Sequence, residues 1–124
     1  GSNDLTMYTL AIDRSDQRVA TLYNPLHPGV LRMIQSAAAA ALRARIPLSV
    51  CGEIAGDPRL TPLLVGLGFR ELSMVAAAIP RVKRRILDID SAAAQRHTKR
   101  IMEEVDGGRI AELLNGFDNE PLVA

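Results

Sequence analysis

The strongest indication of the fold lies in the segment Leu48-Ser49-Val50-Cys51-Gly52-Glu53, which follows Pro47 in the middle of the chain. Its first residues form a short apolar run, which is typical of a buried parallel strand that carries a reactive side chain at its carboxyl end. Cys51 is the only cysteine in the sequence. Gly52 allows a tight backbone turn directly after it, and Glu53 places a carboxylate near the thiol. The pattern predicts a strand that ends at a candidate active-site cysteine.

Two interpretations of Cys51 stay open on this pattern alone. A lone cysteine at the end of an apolar strand is more often a small buried side chain than a catalytic group. A catalytic role requires neighbouring groups that bind a substrate, and the strand by itself does not supply them. The rest of the chain therefore decides between the two interpretations.

The composition is that of one soluble globular domain of 124 residues, 48% of them hydrophobic and 23% charged. A net charge of +1 gives no reason to expect nucleic acid or an anionic membrane surface as a partner. One cysteine excludes an internal disulfide and, with only two histidines, disfavours a zinc site. No apolar run approaches the roughly 20 residues of a membrane span. We therefore expect a cytoplasmic protein.

Helix and strand signals alternate along the chain. Apolar residues at helical spacing predict a long helix that begins near Pro28 and ends at about Arg45, and a second strand is predicted at residues 69–74. Capping and breaking residues predict further helices: one capped by Asn3 or Asp4, one opened by Asp57-Pro58 and closed by Gly66 and Gly68, one from Pro80 to Leu87, and one from Asp90-Ser91 to about Val105. A break at Gly107-Gly108, a last turn at Ile110–Leu114 and a frayed tail complete the chain.

The histidines and the basic residues of the chain have ordinary structural interpretations. His27 lies at the entrance of the long helix, where capping or packing is more common than catalysis. His97 is interpreted as structural or exposed. The basic run from Arg81 to Arg85 carries no interleaved aromatic residues for base stacking, so we interpret it as a solvated helix face.

The order of these elements predicts an α/β fold with parallel strands and crossover helices. Two strands are too few for a stable parallel sheet, whose strands need several neighbours and cover on both faces. We therefore expect the chain to be part of a larger domain, with apolar edges that favour self-association.

Five segments of the chain are characteristic when taken together: Gly1-Ser2-Asn3-Asp4-Leu5-Thr6-Met7-Tyr8, Ala11-Ile12-Asp13-Arg14, Cys51-Gly52-Glu53-Ile54-Ala55-Gly56-Asp57, Leu72-Ser73-Met74 and Ile79-Pro80-Arg81-Val82-Lys83. In this order they resemble the C-terminal, phosphoenolpyruvate-binding (β/α) barrel of the PEP-utilising enzymes. Within this group the sequence is most similar to enzyme I of the bacterial phosphotransferase system, a PEP–protein phosphotransferase, and residues 19–28 favour its nitrogen-related paralogue. The resemblance runs from Gly1 to about Ile89 and is loose from Asp90 onward.

The resemblance implies the last two βα units of a TIM (β/α)8 barrel over residues 1–89, followed by a C-terminal helical extension over residues 90–124. A complete barrel of this type needs about 250 residues. The active site of such a barrel lies at the carboxyl ends of its strands.

The resemblance also implies a site and a reaction. The phosphoryl group of PEP passes to a histidine on a separate N-terminal domain, and pyruvate leaves as an enolate that Cys51 protonates. Asn3 and Arg14 match residues that bind the substrate phosphate. Asp4 matches a substrate-binding residue that is also a Mg²⁺ ligand. Gly52 and Glu53 are expected to support the Cys51 segment.

The family further implies a homodimer and a phosphocarrier protein (HPr-like) as the partner of the N-terminal domain, in sugar transport or nitrogen regulation. Because the phospho-accepting histidine and other substrate ligands lie outside this chain, the chain alone is expected to be inactive. Two alternatives remain. One is an enzyme of the PEP synthase or pyruvate phosphate dikinase type, and the other is a non-catalytic dimerisation or regulatory module.

Overall fold

The computed structural model describes residues 1–118, which form six α-helices and two strands. Short 3₁₀ turns connect several of them, at Ala20–Leu22, Glu53–Gly56, Ala76–Ala78 and Gly116–Asp118. In chain order the main elements are α1 (Ser2–Leu10), α2 (Pro28–Ala44), β1 (Ser49–Val50), α3 (Thr61–Gly66), β2 (Glu71–Leu72), α4 (Ile79–Leu87), α5 (Ser91–Glu103) and α6 (Gly107–Asn115).

The sheet consists of β1 and β2, which are parallel. Ser49 is paired with Glu71 and Val50 with Leu72. The backbone N–H of Ser73 extends the ladder by donating to the carbonyl of Val50 at 2.8 Å. A helix connects the two strands, as parallel pairing requires. The predicted α/β class with parallel strands is confirmed, although each strand is only two residues long in the described part of the chain.

Helix α2 agrees with the sequence prediction. Its N-cap is His27, whose Nδ1 accepts a hydrogen bond from the N–H of Gly29 at 3.1 Å, and Arg45 ends it in the left-handed conformation. Five residues of the predicted apolar stripe are buried in the core: Val30, Leu31, Ile34, Ala38 and Ala41. Ala37 and Leu42, which the prediction also placed in the stripe, are exposed. The capping interpretation of His27 is therefore confirmed.

Helix α1 begins earlier than predicted. Gly1 is its N-cap and makes no side-chain capping bond, so the prediction that Asn3 or Asp4 caps the helix is wrong. The N–H of Ser2 donates instead to the carbonyl of Cys51 at 3.1 Å. This long-range bond satisfies a free helix N–H and joins the start of α1 to the end of β1.

Helix α3 begins at Thr61, so the predicted start at Asp57-Pro58 is wrong. The Asp57 carboxylate accepts from the backbone N–H of Arg59 at 2.9 Å and pairs with its guanidinium at 2.6 Å. An aspartate side chain that accepts a hydrogen bond from the backbone N–H two residues later stabilises a turn instead of capping a helix. Gly68, with φ of +100°, ends the α3 segment as expected.

Helix α5 is capped by Asp90 as predicted, through a 2.7 Å bond from the N–H of Ala93. The predicted break at Gly107-Gly108 is wrong, because these glycines form the first turn of α6 under the N-cap Asp106. The side chain of Asp106 accepts from the N–H of Arg109 at 2.8 Å, so a good cap outweighs the poor helix propensity of glycine. The expected frayed tail lies outside the described residues.

Helix α5 packs closely on α3, and α5 and α6 add Ile101, Ile110 and Leu114 to the core. His97 is buried between them, where its Nε2 lies 2.6 Å from the carbonyl oxygen of Leu113 and its ring lies 4.3 Å from that of Phe117. His97 is therefore structural. None of the helices within residues 1–118 has the length and apolar character that a membrane span requires.

Candidate active site

A cavity of about 590 Å³ lies at the carboxyl ends of both strands. One wall follows β1 and includes the start of α1, and the other follows β2 and reaches the first turn of α4. The lining residues are Asn3, Cys51, Gly52, Glu53 and Gly56 on the first side and Ser73, Met74, Val75, Ala78 and Arg81 on the second. Parallel strands present their carboxyl ends at one edge of the sheet, and this places the two loops around a common space.

Cys51 is exposed and lines this cavity. The alternative interpretation of Cys51 as a small buried side chain is therefore wrong. Val50, the residue before it, is buried at 5% exposure and fixes the strand in the core. The backbone carbonyl of Cys51 accepts from Ser2, so α1 holds the cysteine backbone in place from the other side.

Gly52 makes the tight turn that the sequence predicted. Its φ of +99° is in the region that favours glycine. A Cβ atom at this position would overlap the hydroxyl oxygen of Ser2 and lie 3.0 Å from Oδ1 of Asn3. The absence of a side chain thus lets α1 approach the Cys51 segment closely.

Asn3, Glu53 and Arg14 are connected to one another beside the cysteine. Oδ1 of Asn3 accepts a hydrogen bond from the backbone N–H of Glu53 at 3.2 Å. The Glu53 carboxylate in turn pairs with the guanidinium of Arg14 at 2.9 Å. The side chains of Arg14 and Glu53 are 45% and 67% exposed, so water screens this pair. The ion pair holds Arg14, from the loop after α1, next to the lining residue Glu53, although Arg14 itself does not line the cavity.

Asp4 lies in the first turn of α1, where its side chain is exposed and is not part of the cavity lining. Within residues 1–118 no three His, Cys, Asp or Glu side chains are grouped so as to hold a metal ion. Mg²⁺ is usually held by one or two carboxylates together with substrate phosphates and water. Asp4 is one exposed carboxylate of this chemical type, and it lies outside the cavity lining.

The second wall of the cavity was not predicted from the sequence. Ser73 and Arg81 are its polar residues, and Arg81 had been assigned to a solvated helix face. A sequence signal was available for Ser73, which directly follows β2 as Cys51 directly follows β1, whereas Arg81 lies farther along, in the first turn of α4. The carboxyl-end rule applied to both strands would have identified Ser73.

Two carboxylates lie near the cavity with different partners. Hydrogen bonds from Arg59 hold the pKa of Asp57 below its usual value, and the positive charge of Arg81 contributes in the same direction. Glu53 is paired with Arg14.

Neither His27 nor His97 lines the cavity.

The sequence matches the family described as PEP-utilising enzyme, PEP-binding domain, over residues 1–91. The chain belongs to this family. The match covers α1 to the start of α5 and includes every residue of the candidate site.

Curated relatives of this PEP-binding domain have consistent names. The chain is 46% identical over its whole length to a phosphoenolpyruvate-protein phosphotransferase of Cupriavidus necator, and covers 19% of that protein. It is 41% identical over its whole length to multiphosphoryl transfer protein 1 of Escherichia coli strain K12, and covers 15% of it. It is 38% identical over 94% of its length to a phosphoenolpyruvate-protein phosphotransferase of Haemophilus influenzae, and covers 20% of it. The chain thus spans a fifth or less of the length of these relatives.

Proposed function

We propose that the chain is the C-terminal, PEP-binding part of a PEP–protein phosphotransferase of the enzyme I type. The whole protein transfers the phosphoryl group of PEP to a histidine on its N-terminal domain and releases pyruvate. The observation that carries this proposal is the exposed thiol of Cys51 in a cavity that is also lined by Asn3 and by Glu53, the ion-pair partner of Arg14. The 46% identity to the Cupriavidus necator phosphotransferase supports the same reaction class.

Cys51 is proposed to be the proton donor. When the P–O bond of PEP breaks and the phosphoryl group leaves for histidine, the remaining fragment is the enolate of pyruvate. The Cys51 thiol gives its proton to the methylene carbon of the enolate, and pyruvate and a thiolate result. A thiol suits this step because its reference pKa of about 8.5 lies near working pH. The exposure of Cys51 toward the cavity is compatible with direct contact.

Asn3 and Arg14 are proposed to bind the substrate phosphate. A guanidinium can make two parallel charge-assisted hydrogen bonds to a phosphate, which favours one orientation of the substrate. Glu53 orients Arg14 through their 2.9 Å ion pair. The backbone N–H of Glu53 also donates a hydrogen bond to Oδ1 of Asn3, which orients the Asn3 side chain. Gly52 permits this arrangement because no side chain separates α1 from the loop.

Asp4 is proposed to bind both the substrate and Mg²⁺, with phosphate oxygens and water as the other ligands of the ion. When bound, the ion offsets negative charge on the phosphate and the enolate. The position of Asp4 next to Asn3 in the first turn of α1 supports this role.

The finer fold assignment is also a proposal. In this proposal residues 1–89 form the last two βα units of a TIM (β/α)8 barrel, and α5 and α6 belong to a helical extension that begins at residue 90. The parallel pairing of β1 and β2, with the cavity at their carboxyl ends, supports a barrel segment. We further propose a cytoplasmic homodimer that phosphorylates an HPr-like carrier, in the nitrogen-related branch of the family.

The reaction class is tested with the full-length gene product and with PEP that is radiolabelled in its phosphoryl group. Incubation with Mg²⁺ and no nucleotide should label the protein and release pyruvate in equal amounts. The 124-residue chain alone should stay unlabelled, because the accepting histidine lies outside it. Sedimentation velocity on the full-length product should report a dimer.

The alternatives give different results in the same experiment. Labelling that requires a nucleotide would assign the protein to the dikinase or PEP synthase type. No labelling under either condition, together with a folded dimer, would leave a non-catalytic module. Labelling of the isolated chain would contradict the assignment of the accepting histidine to another domain.

A further inference from the structure

Arg81 is an unassigned cation in the wall of the Cys51 cavity. It lies in the first turn of α4, opposite the Cys51–Gly52–Glu53 wall, and its side chain is exposed. Among the residues that the structure describes, Arg81 makes no hydrogen bond or ion pair. The hydroxyl-bearing Ser73 lines the same wall. This wall therefore offers polar donors to whatever fills the cavity.

The position of Arg81 is unfavourable for the helix that carries it. The N-terminal turn of a helix carries partial positive charge, so acidic residues are stabilising there and basic residues are not. The first turn of α4 contains no acidic residue. Asp57 is the carboxylate whose pKa is affected by Arg81, but it is already paired with Arg59 at 2.6 Å. The positive charge of Arg81 thus adds to the positive end of α4 on the cavity side.

We propose that Arg81 is a further substrate-binding residue, which holds an anionic group of the substrate against the second wall of the Cys51 cavity. The inference rests on the proposed function, because PEP is the anionic substrate considered. PEP carries a carboxylate and a phosphate, and a guanidinium binds either of them through paired N–H donors. Arg81 then approaches the substrate from the first turn of α4, and Arg14 approaches it from the loop after α1, next to Glu53.

The test measures ligand affinity in the full-length gene product by titration calorimetry. The variants are Arg81→Gln, which removes the charge, and Arg81→Lys, which keeps the charge but lacks the paired N–H donors of the planar guanidinium. Lys83→Gln is the matched control, since Lys83 is an exposed cation on the same helix that does not line the cavity. The ligands are PEP, pyruvate, which has only the carboxylate, and inorganic phosphate.

We expect Arg81→Gln to weaken PEP binding about tenfold or more, which is the loss of one charge-assisted interaction. Arg81→Lys should lose less, and Lys83→Gln should bind as the wild type does. A parallel loss for pyruvate would assign Arg81 to the carboxylate, and a parallel loss for inorganic phosphate would assign it to the phosphate. Both results support the inference.

Unchanged PEP affinity in Arg81→Gln would overturn the inference while leaving the proposed function intact. An equal loss in Lys83→Gln would also overturn it, because the effect would then be one of net charge. If the wild-type protein binds no PEP, the proposed function itself fails, and Arg81 loses its substrate with it. Circular dichroism of each variant confirms that the fold is retained.

Discussion

Oδ1 of Asn3 accepts a hydrogen bond from the backbone N–H of Glu53 at 3.2 Å, and this bond joins the first turn of α1 to the loop after β1. A second bond, from Ser2 to the carbonyl of Cys51, joins the same two segments. The cysteine is therefore held between its own strand and a helix from the start of the chain. The site depends on how closely these two segments approach each other.

Gly52→Ala should destabilise the fold by about 1–3 kcal/mol. The new side chain would have to adopt a φ near +99°, which costs free energy for any residue with a Cβ, and it would also overlap the Ser2 hydroxyl. Urea unfolding of the 124-residue chain measures the change in the free energy of unfolding.

Gly107→Ala is the matched control for this substitution. Gly107 is in the first turn of α6, and a Cβ there would meet only Nδ2 of Asn24 at 3.9 Å. We expect it to change the free energy of unfolding by less than about 1 kcal/mol, in the stabilising direction. Equal effects of the two substitutions would show that the Gly52 conformation is not required.

Gly66→Ala should separate α3 from α5. A Cβ on Gly66 would lie 2.7 Å from the carbonyl oxygen of Ala94 and would overlap the hydroxyl oxygen of Thr98. Overpacking of this kind destabilises by about 1–3 kcal/mol, which outweighs the gain in helix propensity. Thermal unfolding followed by circular dichroism should show a lower midpoint.

The double substitution Gly66→Ala/Thr98→Ala tests the cause. It removes the overlapping hydroxyl, which is buried and has no hydrogen-bond partner within the described residues, but leaves the Ala94 carbonyl in place. We expect part of the lost stability to return. If the double variant is less stable than Gly66→Ala, the contact with Thr98 does not explain the loss.

The Asp57–Arg59 pair predicts a pH-dependent contribution to stability. Hydrogen bonds from Arg59 lower the pKa of Asp57 in the folded chain, so the ionised form is favoured by folding. Its contribution is present above the unfolded pKa of about 3.9 and is lost as the pH falls through the lower, folded value. Asp57→Asn should therefore reduce stability at pH 7, and the difference from wild type should disappear in acid. Urea unfolding at a series of pH values measures it.

Arg59→Gln provides the control for the pH effect. Without the guanidinium, Asp57→Asn should produce a smaller difference that changes less with pH, because the backbone N–H of residue 59 and the charge of Arg81 still act on Asp57. The expected contribution at neutral pH is small, because Arg59 is largely exposed and water screens its pairing with Asp57. A difference that grows as the pH falls would contradict the assigned direction of the pKa shift.

The sequence predicted those elements whose determining residues lie close together along the chain. Pro28 and the apolar stripe of α2, the strand before Cys51, the positive φ at Gly52 and the Asp90 cap are all present. Each of these depends on residues within one or two turns of one another. The thiol and Asn3 were also expected in one site, and the structure places both around one cavity.

The errors have long-range or competing causes. The start of α1 depends on a hydrogen bond from Ser2 to Cys51, which no pattern in residues 1–10 reveals. Asp57 precedes a proline as helix caps often do, but its side chain is occupied by Arg59. Arg81 is exposed, as its basic neighbours suggested, but its place in the cavity wall depends on the pairing of β1 with β2, which the local sequence does not reveal.

The most direct test of the central claim is the rate of pyruvate formation from PEP by the full-length gene product, in the wild type and in Cys51→Ala. If the thiol protonates the enolate, its removal should lower the rate by about 100-fold or more. Ser36→Ala, an exposed truncation on α2 away from the cavity, should leave the rate unchanged. A Cys51→Ala variant that forms pyruvate as fast as the wild type would contradict the assignment of Cys51 as the proton donor.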